Sequence, residues 1–259
     1  MPAKHDVQAQ RYEVKYLVPA SLRYPIRDFL AAHLELDAFA RQSADCAYAI
    51  HSIYLDSPAL HTHQATQNDD RNRFKLRMRY YDDRPESPLF LEVKQRCDDV
   101  IKKTRCMVAR PDLERVLSGD TSSLREKDLA GYAQFTHLAR EIQAAPCAYV
   151  TYRREAWVSP FDNSVRVTMD SDVLVEPKFD LVPQTAPVYP VRPFGGELIL
   201  EFKYTARYPD WLRSLVRSFD LTRTGVPKYS AGVKSYGVPR FMERPASSLQ
   251  WRGECAAPA

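Results

Sequence analysis

At 259 residues with 44% hydrophobic side chains, the chain is long enough to bury a sizeable core as one large domain or two small ones. Its net charge is only +4, from 37 basic and 33 acidic residues, which excludes a globally basic binder of the histone kind. Five cysteines (Cys46, Cys97, Cys106, Cys147, Cys255) without a CxxC pair exclude a zinc ribbon or a disulfide framework, and no run of about 18 apolar residues offers a membrane span.

The N-terminal stretch Met1 to Val14 carries charges but no apolar core, so no secretory signal is expected and a cytoplasmic location suits the cysteine usage. Residues 1–9 are expected to be flexible and 241–259 to form a disordered tail. Tyr12 to Val18 reads as a strand stopped by Pro19, and Ile26, Phe29, Leu30 and Leu34 recur at helical spacing. Tyr48 to Leu55 alternates as a strand ending at Asp56. Ser57-Pro58 then has the N-cap and first-turn chemistry of a short helix through Gln64. His61-Thr62-His63 fits a surface helix better than a metal pair. Short strands follow at Arg73–Tyr80, Leu89–Arg96 and Val100–Ala109, joined by polar turns as antiparallel hairpins. A helix over Leu124–Gln143 places Leu129, Tyr132, Phe135, Leu138 and Ile142 on one face. Ala148–Val158 and Ser164–Val175 are two more strands, and the five prolines of 177–196 mark a loop. Glu197–Tyr204 is the last strand, and Trp211, Leu212, Leu215, Val216 and Phe219 form a helical stripe. No repeat or linker divides the span 10–240, which is expected to be one domain.

The run Arg73-Phe74-Lys75-Leu76-Arg77-Met78-Arg79-Tyr80 has a cation at every odd position and an apolar or aromatic residue at every even one. A strand sends these to opposite faces, giving one wholly cationic face. Same-face neighbours sit about 7 Å apart and repel by roughly 0.6 kcal/mol in water, or about 2.4 kcal/mol at an effective dielectric of about 20. Such a row either lies in water or holds an anion.

Other strands keep the same parity. Glu92, Lys94 and Arg96 alternate with Leu91, Val93 and Gln95; Arg166, Thr168 and Asp170 with Val165, Val167 and Met169. Glu197, Ile199, Glu201 and Lys203 alternate with Leu198, Leu200, Phe202 and Tyr204, and Glu13 and Lys15 with Tyr12, Val14 and Tyr16. Lys103 shares a face with Arg105, and Tyr152 with Arg154. A half-exposed antiparallel sheet is one solution. The other is a barrel with its apolar face turned out to covering helices and a cationic lumen holding a few carboxylates, suited to a polyphosphate group with Mg²⁺ or Mn²⁺.

In chain order, Arg11-Tyr12-Glu13-Val14-Lys15-Tyr16, Ser52-Ile53-Tyr54-Leu55-Asp56, Lys75-Leu76-Arg77-Met78-Arg79-Tyr80 and Leu91-Glu92-Val93-Lys94 resemble the successive motifs of the VTC domain family. Ile101-Lys102-Lys103, Thr151-Tyr152-Arg153-Arg154, Arg166, Leu200-Glu201-Phe202-Lys203 and Lys228-Tyr229-Ser230 continue the series. The resemblance implies a triphosphate tunnel metalloenzyme of the CYTH-like superfamily. Its fold would be α+β, a closed antiparallel eight-stranded β-barrel with helices packed outside. Its activity would be polyphosphate synthesis from ATP with a divalent metal, Mn²⁺ or Mg²⁺. Lys15, Arg77, Arg79, Lys94, Lys103, Arg154, Arg166, Lys203, Lys228 and Ser230 would then bind phosphate. Arg77, Arg79, Lys94 and Glu201 would carry catalysis, and Glu201, Glu92 and Glu13 would be metal ligands.

Two departures stand out. Arg11 replaces the first glutamate of the Glu-x-Glu-x-Lys opening of related triphosphatases, and Ala231 replaces the final lysine of the eukaryotic Lys-Phe-Ser-Lys motif. No phosphate-sensing SPX domain or membrane helix is evident, so a free-standing bacterial-type domain is expected. Triphosphatase activity on the same site and a non-catalytic polyphosphate- or nucleotide-binding module are the alternatives. ATP and polyphosphate or another polyanion are the expected partners. Nucleic acid is not, because Phe74 and Tyr80 lie opposite the cationic face. With only 8 Gly and no GxxxxGK[ST], P-loop chemistry is excluded. The oligomeric state is left open.

Overall fold

The computed structural model describes residues 11–243 other than Asp99, Asn163 and Ala206. Residues 1–9, and 244–259 of the expected tail, lie outside the described set. The tail's first residues do not: Phe241 is fully buried in a short helix.

In chain order, β1 (Arg11–Val18) leads through α1 (Arg23–Ala31) to the short β2 (Glu35–Leu36) and α2 (Ala38–Arg41). Next come β3 (Tyr48–Asp56), α3 (His61–Gln67), β4 (Arg73–Tyr80), β5 (Leu89–Cys97) and β6 (Val100–Val108). Helices α4 (Leu113–Leu117) and α5 (Glu126–Glu141) precede the long strands β7 (Ala145–Val158) and β8 (Val165–Pro177). The described residues close with β9 (Leu198–Thr205), α6 (Asp210–Ser218), α7 (Lys228–Tyr236) and α8 (Pro239–Met242).

Two compact units share these elements. One draws on residues 11–49, 152–173 and 194–226, the other on 50–151, 174–193 and 227–243. The chain crosses between them inside strands β3, β7 and β8, so no linker composition could mark the division.

In the first unit the strand order is β1-β9-β8-β7, with β2 beside β7. Tyr16 and Val18 of β1, Val167 and Met169 of β8, and Leu200 and Phe202 of β9 face one side. There they pack with Ile26 and Leu30 of α1 and Leu212 and Leu215 of α6. In the second unit the order is β7-β3-β4-β5-β6. Leu76, Met78 and Tyr80 of β4 join Leu91 and Val93 of β5, Val116 of α4 and Phe135 and Leu138 of α5. Burial of each large side chain contributes about 1.5–3 kcal/mol. In each unit the helices thus cover the apolar strand face, as the parity implied, and the charged residues occupy the other.

The expected barrel closure is not found. β1 and β6 stand at the ends of the strand order, and no pairing joins them among the described residues, so the ladder of eight strands is open. Both edges already have partners. Arg223 bridges to Tyr16, and the Thr224 N–H donates to the Lys15 carbonyl along β1. Along β6 the Met107 N–H donates to Asp128 Oδ1 of α5 at 3.0 Å. Gly131 lets that helix approach, since a Cβ there would sit 2.5 Å from the Arg105 carbonyl oxygen.

Local differences have local causes. Helix α3 starts at His61 because Leu60 is left-handed (φ 57°), leaving Ser57-Pro58-Ala59 as a turn. The buried Asp56 carboxylate caps it, accepting the N–H groups of Ser57, Thr62 and His63 and the hydroxyls of Thr62 and Tyr229. Thr62 and His63 are consequently buried, contrary to a surface helix; burial, with repulsion from Lys75, lowers the pKa of His63 against the pull of Asp56. On α5, Leu129 is exposed because Asp128, Tyr132 and Phe135 form the inward face.

His51 is buried, with its Nδ1 2.7 Å from the Tyr149 hydroxyl and 3.0 Å from Thr151 Oγ1. Burial pushes it from 6.5 down to about 4, against the opposing pull of Asp82 and Asp83. Because the folded pKa is the lower one, its contribution is fully present above pH 6.5 and is lost as pH falls towards 4. The loss amounts to up to about 3 kcal/mol. The urea midpoint should fall across that window, and less steeply in His51→Gln; identical slopes in the two proteins would rule His51 out.

Candidate functional site

The charged face of the second unit is organised by register. Arg77 of β4 lies opposite Tyr54 of β3 and Glu92 of β5, and Glu92 lies opposite Arg105 of β6. Glu92 is 1% exposed, and four cations converge on it. Its Oε2 is 2.7 Å from Arg77 Nη2 and 3.8 Å from Arg79 Nε; its Oε1 is 2.8 Å from Lys103 Nζ and 2.6 Å from Arg105 Nη2. Burial works against its charge, but Arg77, Arg79, Lys103 and Arg105 outweigh it and hold the carboxyl far below the usual range. Three guanidiniums against one carboxylate leave a local charge of +2, rising to +3 where Lys103 is also protonated.

Arg77 is fixed from both sides. Its Nε donates to Glu92 Oε2 at 2.8 Å, and its Nη1 donates to the Tyr54 hydroxyl at 3.0 Å. Burial raises the Tyr54 pKa, but Arg77, Lys75 and Arg79 more than reverse this and bring it to about 8. Crowding by protein, and repulsion from Arg77 and Arg79, push Lys103 down to about 7 against the pull of Glu92.

The next row along the same strands sets Lys75 opposite Lys94, and Lys94 opposite Lys103.

In the first unit Lys15 of β1 lies opposite Glu201 of β9, and Glu13 opposite Lys203. Lys15 Nζ is 2.6 Å from Glu13 and 3.3 Å from Glu201, and Lys203 Nζ is 2.6 Å from Glu201. Although burial opposes it, Glu201 and Glu13 raise the Lys15 pKa above its ordinary value. Thr168 of β8 lies opposite Glu201, and its Oγ1 is buried without a hydrogen-bond partner.

The remaining predicted residues divide. Arg154 forks onto the buried Asp170 at 2.6 and 2.8 Å; burial opposes its charge, but Asp170 drives its pKa well up. Arg166 donates to Asp37 at 2.7 Å, and the same carboxylate caps α2 through the Ala40 N–H. Lys228 opens α7, while Ser230 is fully buried with no partner for its Oγ. Sequence reasoning passed over Arg105, Tyr54 and Lys75 as site residues. Strand parity already placed Lys75 and Arg105 on the cationic face.

A divalent metal fits one of the two carboxylate groups. Glu13 and Glu201 together offer hard oxygen donors beside the unpartnered Thr168 hydroxyl. Mg²⁺ or Mn²⁺ bound by one or two carboxylates completes its shell with water and phosphate oxygens. No group of three or more His, Cys, Asp or Glu side chains is arranged to hold a metal among the described residues. Glu92 fits poorly, because four cations surround that single carboxylate, whereas at Glu13 and Glu201 two lysines face two carboxylates.

Residues 10–236 match the family model of the VTC domain. The chain belongs to the VTC domain family. No curated protein matches this VTC chain. Among solved structures, a "putative adenylate cyclase" from Bacillus halodurans is similar at 10% identity and TM-score 0.46, covering 84% of this chain and 94% of its own. A second "putative adenylate cyclase", from Vibrio parahaemolyticus, gives 11% identity and TM-score 0.44 over 86% and 98%. The Schizosaccharomyces pombe Mediator head module gives 10% and 0.40 over 83% and 100%. Likenesses this distant carry no argument about activity. No helix among the described residues is long and apolar enough to cross a membrane.

Proposed function

We propose that this VTC-domain protein is a metal-dependent phosphotransferase that lengthens polyphosphate at the expense of ATP. The observation that carries the reading is the cluster of Arg77, Arg79, Lys103 and Arg105 around the single carboxylate of Glu92, on the strand face opposite the core that α4 and α5 cover. A local charge of +2 to +3 held in fixed positions suits a triphosphate better than a neutral or monoanionic ligand.

In this reading Arg77 and Arg79 hold non-bridging phosphate oxygens, and Lys94 and Lys103 add point charges. A terminal oxygen of the acceptor chain forms a bond to the γ-phosphorus as the bridge from that phosphorus to the β-phosphate breaks, and ADP leaves with the bridging oxygen. The guanidiniums, held in place by Glu92 and Tyr54, need no reorganisation as negative charge shifts between the phosphates. A metal on Glu13 and Glu201 would supply Lewis-acid neutralisation of phosphate charge when bound. Lys203 and Lys15 pair with those carboxylates. Arg154, Arg166 and Lys228 are further phosphate ligands on this reading, and reaching a phosphate requires Arg154 and Arg166 to exchange carboxylate for phosphate oxygen.

Incubation with ATP and Mn²⁺ followed by gel analysis tests the reading: a polyphosphate ladder with ADP is expected. Orthophosphate alone would identify a triphosphatase, and nucleotide binding without ADP a binding module. Glu201→Gln should nearly abolish turnover and weaken Mn²⁺ binding by at least about tenfold with the fold intact, at some cost in melting temperature because Lys15 and Lys203 lose a buried partner. Full activity in that variant removes the proposed metal site.

A further inference from the structure

We propose that Tyr229 of α7 is a positioning residue for Arg77: it fixes the ring of Tyr54, whose hydroxyl in turn aims the guanidinium. The inference rests on the reading that Arg77 holds phosphate, and it extends the site to a residue that meets no phosphate itself.

Tyr54 and Asp56 are two positions apart on β3, so they share a side of the strand and lie about 7 Å from each other. Tyr229 lies along that interval and engages both. Its ring stacks on that of Tyr54, with centroids 5.0 Å apart and planes 8° from parallel. Its hydroxyl donates to Asp56 Oδ2 at 2.8 Å, and Cys147 Sγ is 3.4 Å from the same hydroxyl oxygen. Tyr229 is fully buried, and α7 is seated where Gly232 lies against Val175. The fold therefore sets the place of this ring before any ligand arrives.

The oxygen of a tyrosine lies on the axis of its ring. Spinning the ring leaves that oxygen in place, and only a swing about χ1 carries it away. A flat aromatic neighbour blocks the swing on its own side, and the offset stack favours the ring where it stands. The benefit passes to Arg77. Glu92 meets Arg77 Nε at 2.8 Å and Nη2 at 2.7 Å through one oxygen, Oε2. An anchor on one oxygen permits the planar fork to hinge. The Tyr54 hydroxyl, 3.0 Å from Nη1, stops the hinge and sets the direction in which the fork faces a phosphate.

The test is a calorimetric titration with inorganic tripolyphosphate, without nucleotide or metal, at a temperature where every variant is folded. Tyr54→Phe, which loses the hydroxyl that holds Arg77, and Tyr229→Leu, which loses the flat ring, should each weaken binding by about tenfold. Tyr229→Phe keeps the ring and loses only the bond to Asp56. It should melt at a lower temperature than the wild type yet bind tripolyphosphate as tightly, a separation that a merely structural role does not produce. Tyr229→Met fills the space without a flat face, and should match Tyr229→Leu if leucine leaves too large a cavity for folding. Because Tyr229 acts through Tyr54, adding Tyr229→Leu to Tyr54→Phe should cost less than about threefold more. A full further tenfold loss in the double variant, or affinity that falls in Tyr229→Phe as it does in Tyr229→Leu, would overturn the proposal. A loss in Arg77→Ala with none in Tyr229→Leu or Tyr229→Met overturns the role of Tyr229 and leaves the arginine reading standing. Wild-type affinity in Arg77→Ala overturns both.

Discussion

Arg77→Ala is expected to lower kcat/KM for ATP by two to three orders of magnitude, about 3–4 kcal/mol of transition-state stabilisation. Arg77 is the residue whose guanidinium is fixed twice, by Glu92 on one side and the Tyr54 hydroxyl on the other, so it meets a phosphate already oriented. Stability should change little, because Glu92 keeps Arg79, Lys103 and Arg105. Arg77→Lys should fall between, restoring charge but not the planar fork. Arg73→Ala removes a cation of the same strand and parity, but one paired with Asp69, and should have little effect. If Arg77→Ala retains kcat/KM within about threefold of wild type, the arginine row is not the phosphate site.

Glu92→Gln should destabilise the fold by about 3–5 kcal/mol, the usual cost of breaking a buried ion pair from one side. Here the cost falls on four cations that lose a shared counter-charge. A polyanion that binds only the folded state restores stability by mass action. Inorganic tripolyphosphate should therefore raise the melting temperature of Glu92→Gln more than that of the wild type. Equal shifts would mean the cluster is not where the anion binds. Because the folded carboxyl is held far below its ordinary 4.5, its contribution is present above that value and disappears only as pH falls through its much lower folded pKa. Acid sensitivity between pH 6.5 and 4 therefore belongs to His51, depressed to about 4, together with His63, whose pKa burial also lowers.

What the sequence revealed comes from the period of a strand. Alternation in β4, β5, β8 and β9 is a local signal, and it is enough to assign their charged side chains to the correct face. Register is not local. The eight residues between Tyr80 and Leu89 permit several pairings, so nothing in the sequence set Lys75 opposite Lys94. The carboxylate that occupies Arg166 comes from Asp37, 129 positions away, and no spacing rule reaches that far. Closure of the barrel failed for the same reason: Arg223 and Asp128, which occupy the two outer edges, are remote in the chain from the strands they protect. The resemblance implies phosphate contacts from Lys228 and Ser230, which lie together on α7. Only packing reveals that Ser230 points inward, on a helix whose Gly232 lies against Val175.

The absent side chain at Gly131 gives α5 a lever over chemistry it never touches. The helix rests directly on the backbone of Arg105, so anything larger at 131 must push either the helix or β6 away. Moving β6 moves Lys103 and Arg105 together, and with them the balance of charge about Glu92. An uncharged substitution on the far side of the sheet would then masquerade as a binding defect. A change at this position acts through volume rather than charge, and a survey of charged residues would never find it.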